Sequence, residues 1–183
     1  MTRVPGSPPV IGIAGWKKSG KTTLAERLIA EFTARGLRVA SVKHAHHNFQ
    51  IDDADTDSAR HRRAGAGQVA IVSSKRWALV TELAGAPEPD LVDVIARLEP
   101  CDLVVVEGYK SAPIPKIEAR RLAATSQERL ADKDPNVVAV AADHAVEERV
   151  LPTFRLDDIA GIADFIARSL GLRQAASGMP AKR

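Results

Sequence analysis

Gly15-Trp16-Lys17-Lys18-Ser19-Gly20-Lys21-Thr22-Thr23 decides how this chain is read. Its spacing, G-x-x-x-x-G-K-[ST], is that of a loop whose backbone cradles phosphate groups. The flanks agree. Val10-Ile11-Gly12-Ile13-Ala14 is a short apolar run and reads as a buried strand. Leu24, Leu28, Ile29 and Phe32 then recur at helical spacing, and Gly36 stands where a helix would be capped. Glycines at 15 and 20 let the backbone take conformations closed to other residues and approach a phosphate closely. Successive N–H groups then point inward, at the positive end of the following helix. In such a loop Lys21 reaches the β- and γ-phosphates and the Thr22 hydroxyl ligates Mg²⁺.

The 183 residues suit one domain with ample length for a core. The expected layout is a loose lead-in over 1–9, a nucleotide-binding domain over 10–170 and a basic tail over 171–183. Hydrophobic content of 45% and charged content of 27% are ordinary for a globular chain. A net charge of +3 fits an anionic ligand and is too weak to imply nucleic acid. Cys101 is the only cysteine, which rules out an intrachain disulfide and points to a reducing compartment. With no apolar stretch near the roughly 18 residues of a membrane span, a cytoplasmic location is expected.

Strands and helices alternate along the chain. Strands are predicted at Val39–Val42, Val69–Val72, Trp77–Thr81, Leu103–Val106 and Val137–Ala141. Helices are predicted near Ser58–Ala64, after Asp90 (through Leu91, Val94, Ile95 and Leu98) and after Asp157 or Asp158. The apolar 103–106 run reads as a parallel strand buried on both faces. This alternation implies an α/β fold with a mostly parallel sheet. Such sheets bind ligands at the carboxyl ends of their strands. Polar groups gather at those points: the phosphate loop, then Lys43-His44-Ala45-His46-His47 with Asp52, then Glu107-Gly108-Tyr109-Lys110, then Asp143.

Glu107 follows four apolar residues, the pattern of a carboxylate that holds Mg²⁺ directly or through water. His44, His46 and His47 with Asp52 suit phosphate or substrate contact, a transition-metal site, or a solvated loop. Asp52 is placed to hold a water near Mg²⁺ or to position an attacking water as the catalytic base. Arg60, Arg62 and Arg63 with His61 form a basic cluster, either a solvated face or a phosphate contact. Trp16 and Trp77 are expected to be buried, ahead of nucleotide stacking or a partner contact.

Taken in order, these residues resemble one family. The phosphate loop, Lys43-His44-x-His46-His47, Asp52, Asp57-Ser58, Arg63-Ala64-Gly65-Ala66, Arg76-Trp77-Ala78-Leu79-x-Thr81-Glu82 and Val106-Glu107-Gly108-Tyr109-Lys110 look like those of the molybdopterin-guanine dinucleotide biosynthesis protein B (MobB) family. Pro115-Lys116-Ile117-Glu118 and Val138-Ala139-Val140-Ala141-x-Asp143 extend the likeness.

The resemblance implies a three-layer P-loop NTPase fold akin to the signal-recognition-type GTPases. It implies a homodimer that binds GTP with Mg²⁺, hydrolyses it weakly at best, and assists the nucleotidyltransferase that attaches GMP to the molybdenum pterin cofactor. Carried over by position, Gly15, Trp16, Lys17, Lys18, Ser19, Gly20, Lys21, Thr22 and Thr23 hold phosphates. Thr22 and Glu107 serve Mg²⁺, and His44, His46, His47 and Arg63 line the adjacent cleft.

Two departures stand out. Asp55-Thr56 replaces the family's Gly-Lys before Asp57, and the Asn-Lys-x-Asp guanine signature of many GTPases is missing. Asp143 is the candidate for accepting the guanine N–H groups. A P-loop small-molecule kinase and a metallochaperone GTPase are the alternatives that these residues leave open.

Overall fold

The computed structural model describes residues 7–45, 56–147 and 150–172. They form two compact units: one from the residues through His44 and from Leu91 onward, the other between Ala45 and Asp90.

The larger unit is built on six strands: β1 (Val10–Ala14), β2 (Val39–Lys43), β5 (Leu103–Glu107), β6 (Lys116–Arg120), β7 (Val137–Ala142) and β8 (Thr153–Arg155). Their order across the sheet is β2-β5-β1-β6-β7-β8, and every pairing is parallel. Helices α1 (Lys21–Ala34) and α4 (Ile159–Leu170) share one apolar cluster on one face of the sheet. Leu24, Leu28, Phe32, Ile162 and Ile166 are buried there against Ile11, Ile13, Leu103, Val105 and Ile117. Each such side chain contributes about 1.5–3 kcal/mol through burial. A second cluster joins Val42, Val104 and Val106 to Leu91 of the short helix α3 (Leu91–Ile95). Strand β5 thus sends Leu103 and Val105 into one cluster and Val104 and Val106 into the other, which is why it reads as an unbroken apolar run.

Local chemistry sets the ends of α1. Gly20 precedes it at φ 91°. At its far end Gly36 takes φ 84°, its N–H donates to the Thr33 carbonyl, and the Leu37 N–H donates to the Phe32 carbonyl. That pair of bonds is the Schellman arrangement, which requires a residue at ease in the left-handed region. Of the two aspartates expected to start α4, Asp158 caps it, accepting from the Gly161 N–H at 3.0 Å.

The smaller unit holds α2 (Asp57–Arg63) and an antiparallel pair, β3 (Gln68–Val72) and β4 (Trp77–Thr81). Thr56 caps α2, which lies against β3 with Ala59 and Val69 buried.

Several expectations need correction. The strands at 68–72 and 77–81 do not join the parallel sheet; they form a hairpin of their own. Trp77, expected to be buried, is 65% exposed. A two-stranded sheet has a second face, and Trp77 stands on it beside its cross-strand partner Val72. Strands β6 and β8 were not foreseen. Strand β6 buries two charged side chains, Lys116 and Glu118, which break the apolar signature of an inner strand. Strand β8 is only three residues long. The helix expected to run to Leu98 ends at Ile95.

Candidate functional site

The carboxyl ends of β1, β5, β6 and β7 carry most of the polar groups singled out above. The loop after β1 turns on Gly15, at φ 147°, and on Lys18, at φ 66°. A Cβ at position 15 would sit 2.5 Å from the Ala119 carbonyl oxygen, so the site excludes any side chain. Within the loop the Trp16 carbonyl accepts from the Ser19 N–H at 3.1 Å and from Lys21 Nζ at 2.7 Å. Ser19 is 1% exposed, and its Oγ has no hydrogen-bond partner among the described residues. An orphaned buried hydroxyl inside a phosphate-type loop fits a ligand that supplies the missing partner.

Glu107, at the end of β5, accepts from the Thr22 hydroxyl at 2.8 Å. Its other oxygen lies 3.7 Å from Lys43 Nζ. Hydroxyl and carboxylate oxygens at this spacing suit a hard cation such as Mg²⁺. Burial pushes the Lys21 ammonium below its ordinary pKa. Glu107 works against that shift, while Lys110 and Lys43 add to it. Lys21 therefore feels two neighbouring ammonium groups besides the Glu107 carboxylate, a local excess of positive charge that suits an anionic ligand.

A second layer braces the loop from outside. Lys110 Nζ lies 3.9 Å from the centre of the Trp16 ring. The Trp16 indole N–H donates to the Glu128 carbonyl at 2.7 Å, and the Thr125 N–H donates to the Lys17 carbonyl at 2.9 Å. Both partners belong to the segment between β6 and β7. That segment is tied down by the two buried charges of β6. Glu118 accepts from the Leu130 and Ala131 N–H groups at 2.9 and 3.0 Å, at the start of a 3₁₀ turn (Leu130–Asp132). Lys116 Nζ donates to Asp134 Oδ2 at 2.7 Å.

The loop and the segment after β6 border a cleft of about 410 Å³ lined by Lys18, Gly20, Lys21, Thr22, Thr23 and Arg121. Beside it lies a cleft of about 280 Å³, bounded by Thr23, Leu24, Arg27, Asp143, Leu156 and again Arg121. Asp143 follows β7 and is already engaged. Its Oδ1 accepts from His144 Nδ1 at 2.9 Å and from the Leu122 N–H at 3.1 Å, and its Oδ2 from Arg121 Nε at 3.2 Å. The His144 contact leads in holding its carboxyl below the usual range, and burial opposes it.

His44 directly follows β2. Its N–H donates to the Glu107 carbonyl at 2.9 Å, and its ring packs on Tyr109 with centroids 4.7 Å apart. His46, His47 and Asp52 lie outside the described residues. Arg63 ends α2 in the smaller unit. No group of three or more metal-ligating side chains occurs among the described residues. Arg121 escaped the sequence reading altogether. Its signal was its place directly after a strand, and that strand went unrecognised.

A family model described as molybdopterin guanine dinucleotide synthesis protein B matches residues 10–143. This chain belongs to that family. It is 43% identical over 162 residues to the molybdopterin-guanine dinucleotide biosynthesis adapter protein of Haemophilus influenzae, covering 86% of this chain and 87% of that one. It is 38% identical over 160 residues to the adapter protein of Escherichia coli, covering 86% and 91%. Among solved structures, the crystal structure of molybdopterin-guanine biosynthesis protein B superposes with a TM-score of 0.68 at 30% identity, covering 88% of this chain and 99% of that one. The MobB structure from Bacillus subtilis gives 0.70 at 27% identity, covering 88% and 98%. The MobB neighbours share the P-loop NTPase-like α/β architecture described above.

Proposed function

We propose that this chain is a GTP-binding accessory protein of molybdenum cofactor maturation. It assists a nucleotidyltransferase in converting molybdopterin to its guanine dinucleotide form, and it is at most a weak Mg²⁺-dependent GTPase. The accessory role draws on the adapter names carried by the relatives from Haemophilus influenzae and Escherichia coli. The nucleotide role draws above all on one contact, Thr22 Oγ1 to Glu107 Oε1 at 2.8 Å, beside Lys21. Gly15 to Thr23 then serve the phosphates, Thr22 and Glu107 serve Mg²⁺, and Asp143 reads the base. His44, His46, His47 and Arg63 are assigned to contacts with the pterin or the partner enzyme, and Asp52 to the role of water-positioning base.

A homodimer in the cytoplasm is part of the same proposal. Val72, Trp77 and Leu79 leave apolar surface exposed on the hairpin, as an interface would require. No helix among the described residues is long and apolar enough to cross a membrane.

Calorimetric titration with GTP and with ATP, each with and without Mg²⁺, tests the nucleotide role. Tight Mg²⁺-dependent binding of GTP over ATP is the expected result. A preference for ATP would favour the small-molecule kinase reading, with Arg121 as the arginine over the phosphates.

A further inference from the structure

Arg121 is the one charged side chain common to both clefts. In the first it stands beside the phosphate loop. In the second its Nε rests on Asp143. The carboxylate it covers is crowded. An ionised carboxylate offers about four acceptor positions. Three are taken, by Arg121, by the Leu122 N–H and by His144. The Watson–Crick edge of guanine presents a ring N–H and an exocyclic amine, two donors for the single position left.

One protein donor must therefore yield before Asp143 can grip that edge. Leu122 donates from the backbone, and His144 is the neighbouring residue with only 24% of its side chain exposed. Arg121 makes the longest of the three contacts, at 3.2 Å, and its side chain is 45% exposed. It alone has a second destination, because an incoming triphosphate places charge in the other cleft it lines.

We propose that Arg121 is a displaceable cover on the base-reading carboxylate. Phosphate groups in the first cleft draw its guanidinium off Asp143, and the uncovered carboxylate then accepts both donors of guanine. Base selection is thereby coupled to phosphate occupancy: the pocket reads the base well only when the phosphate end is filled. The proposal rests on the guanine-nucleotide reading of the preceding section.

The test measures dissociation constants for GMP, AMP, GTP and ATP, with Mg²⁺ throughout, on the full chain and two variants. Arg121→Met keeps the aliphatic stem and removes the donors. Asp143→Asn replaces one acceptor oxygen by an amide donor. Circular dichroism melts check that both fold. In the unaltered chain the preference for guanine over adenine should be at least about tenfold larger for the triphosphates than for the monophosphates, the effect of one or two hydrogen bonds to a charged acceptor. In Arg121→Met the preference should be equally large for both, because the carboxylate is never covered. In Asp143→Asn it should vanish at either phosphate number.

A strong preference that Asp143→Asn abolishes, but that is the same for mono- and triphosphates, would overturn the cover and leave the guanine reading standing. A phosphate-dependent preference that persists in Arg121→Met would also overturn it. No preference in the unaltered chain, unmoved by Asp143→Asn, would remove the guanine reading and the cover together.

Discussion

Glu118→Ala should cost the fold about 4 kcal/mol, although Glu118 touches no ligand. The side chain is 1% exposed and its two oxygens serve three donors. Leaving two backbone N–H groups without their acceptor costs about 1 kcal/mol each, and losing the charge-assisted contact with Arg120 costs about 2 kcal/mol more. For a urea dependence of about 2 kcal/mol per molar, the unfolding midpoint falls by about 2 M. Glu118→Gln keeps one acceptor oxygen and the shape, so its loss should be about half as large. Urea titration followed by far-UV circular dichroism measures both. The segment that Glu118 holds also carries the Glu128 and Thr125 contacts to the phosphate loop. Nucleotide affinity should therefore drop in the alanine variant even without urea. A midpoint change under about 0.5 M for Glu118→Ala would refute the reasoning, since the 3₁₀ turn would then be held by something else.

Lys21→Ala should abolish triphosphate binding without unfolding the protein, because burial already disfavours the Lys21 charge; calorimetry beside a thermal melt checks this. Glu107→Gln should weaken Mg²⁺-dependent nucleotide affinity more than Mg²⁺-free affinity, since it removes one charge at the proposed metal; equal losses would take Glu107 out of that role. Burial pushes the Asp134 carboxyl up, but the donors Lys116 and Asn136 outweigh it and hold the group below its ordinary 3.8. Its stabilising contribution is thus complete above that value and lost as pH falls through the lower folded value. Unfolding of Asp134→Asn should be clearly easier than that of the unaltered chain at about pH 7, with the gap narrowing as the pH is taken below 3.8.

The parallel sheet was legible wherever its strands were apolar on both faces. Leu103–Val106 announced itself because α1 and α4 cover the sheet on one side of it and α3 on the other, and Val137–Ala141 because almost every residue of that strand is buried. Strand β6 was not legible, although it lies beside the central strand. Its Lys116 and Glu118 look like surface residues in one dimension, and only the fold supplies the Asp134 carboxylate and the backbone N–H groups that make their burial tolerable. The candidate site followed the same division. Gly15 to Thr23 and Glu107 could be read because motif spacing alone places them. Arg121 could not, because its position depends on the end of the strand that was missed. Trp77 misled for the opposite reason: its chemistry suggested a core, and the sequence does not reveal that its sheet has only two strands.

The strand order has a further consequence for how the chain is made. Strand β1 emerges from the ribosome before either of its two sheet neighbours, β5 and β6. Roughly ninety residues separate the end of β1 from the start of β5, about 5–20 s of synthesis at ordinary elongation rates. Throughout that interval Ile11 and Ile13 can gather α1 around them but have no partner strand for their backbone edges. The nascent chain is therefore most vulnerable to misassociation before Leu103 appears, and a ribosome pause placed there would lengthen that window, whereas a pause after β5 and β6 have emerged would not.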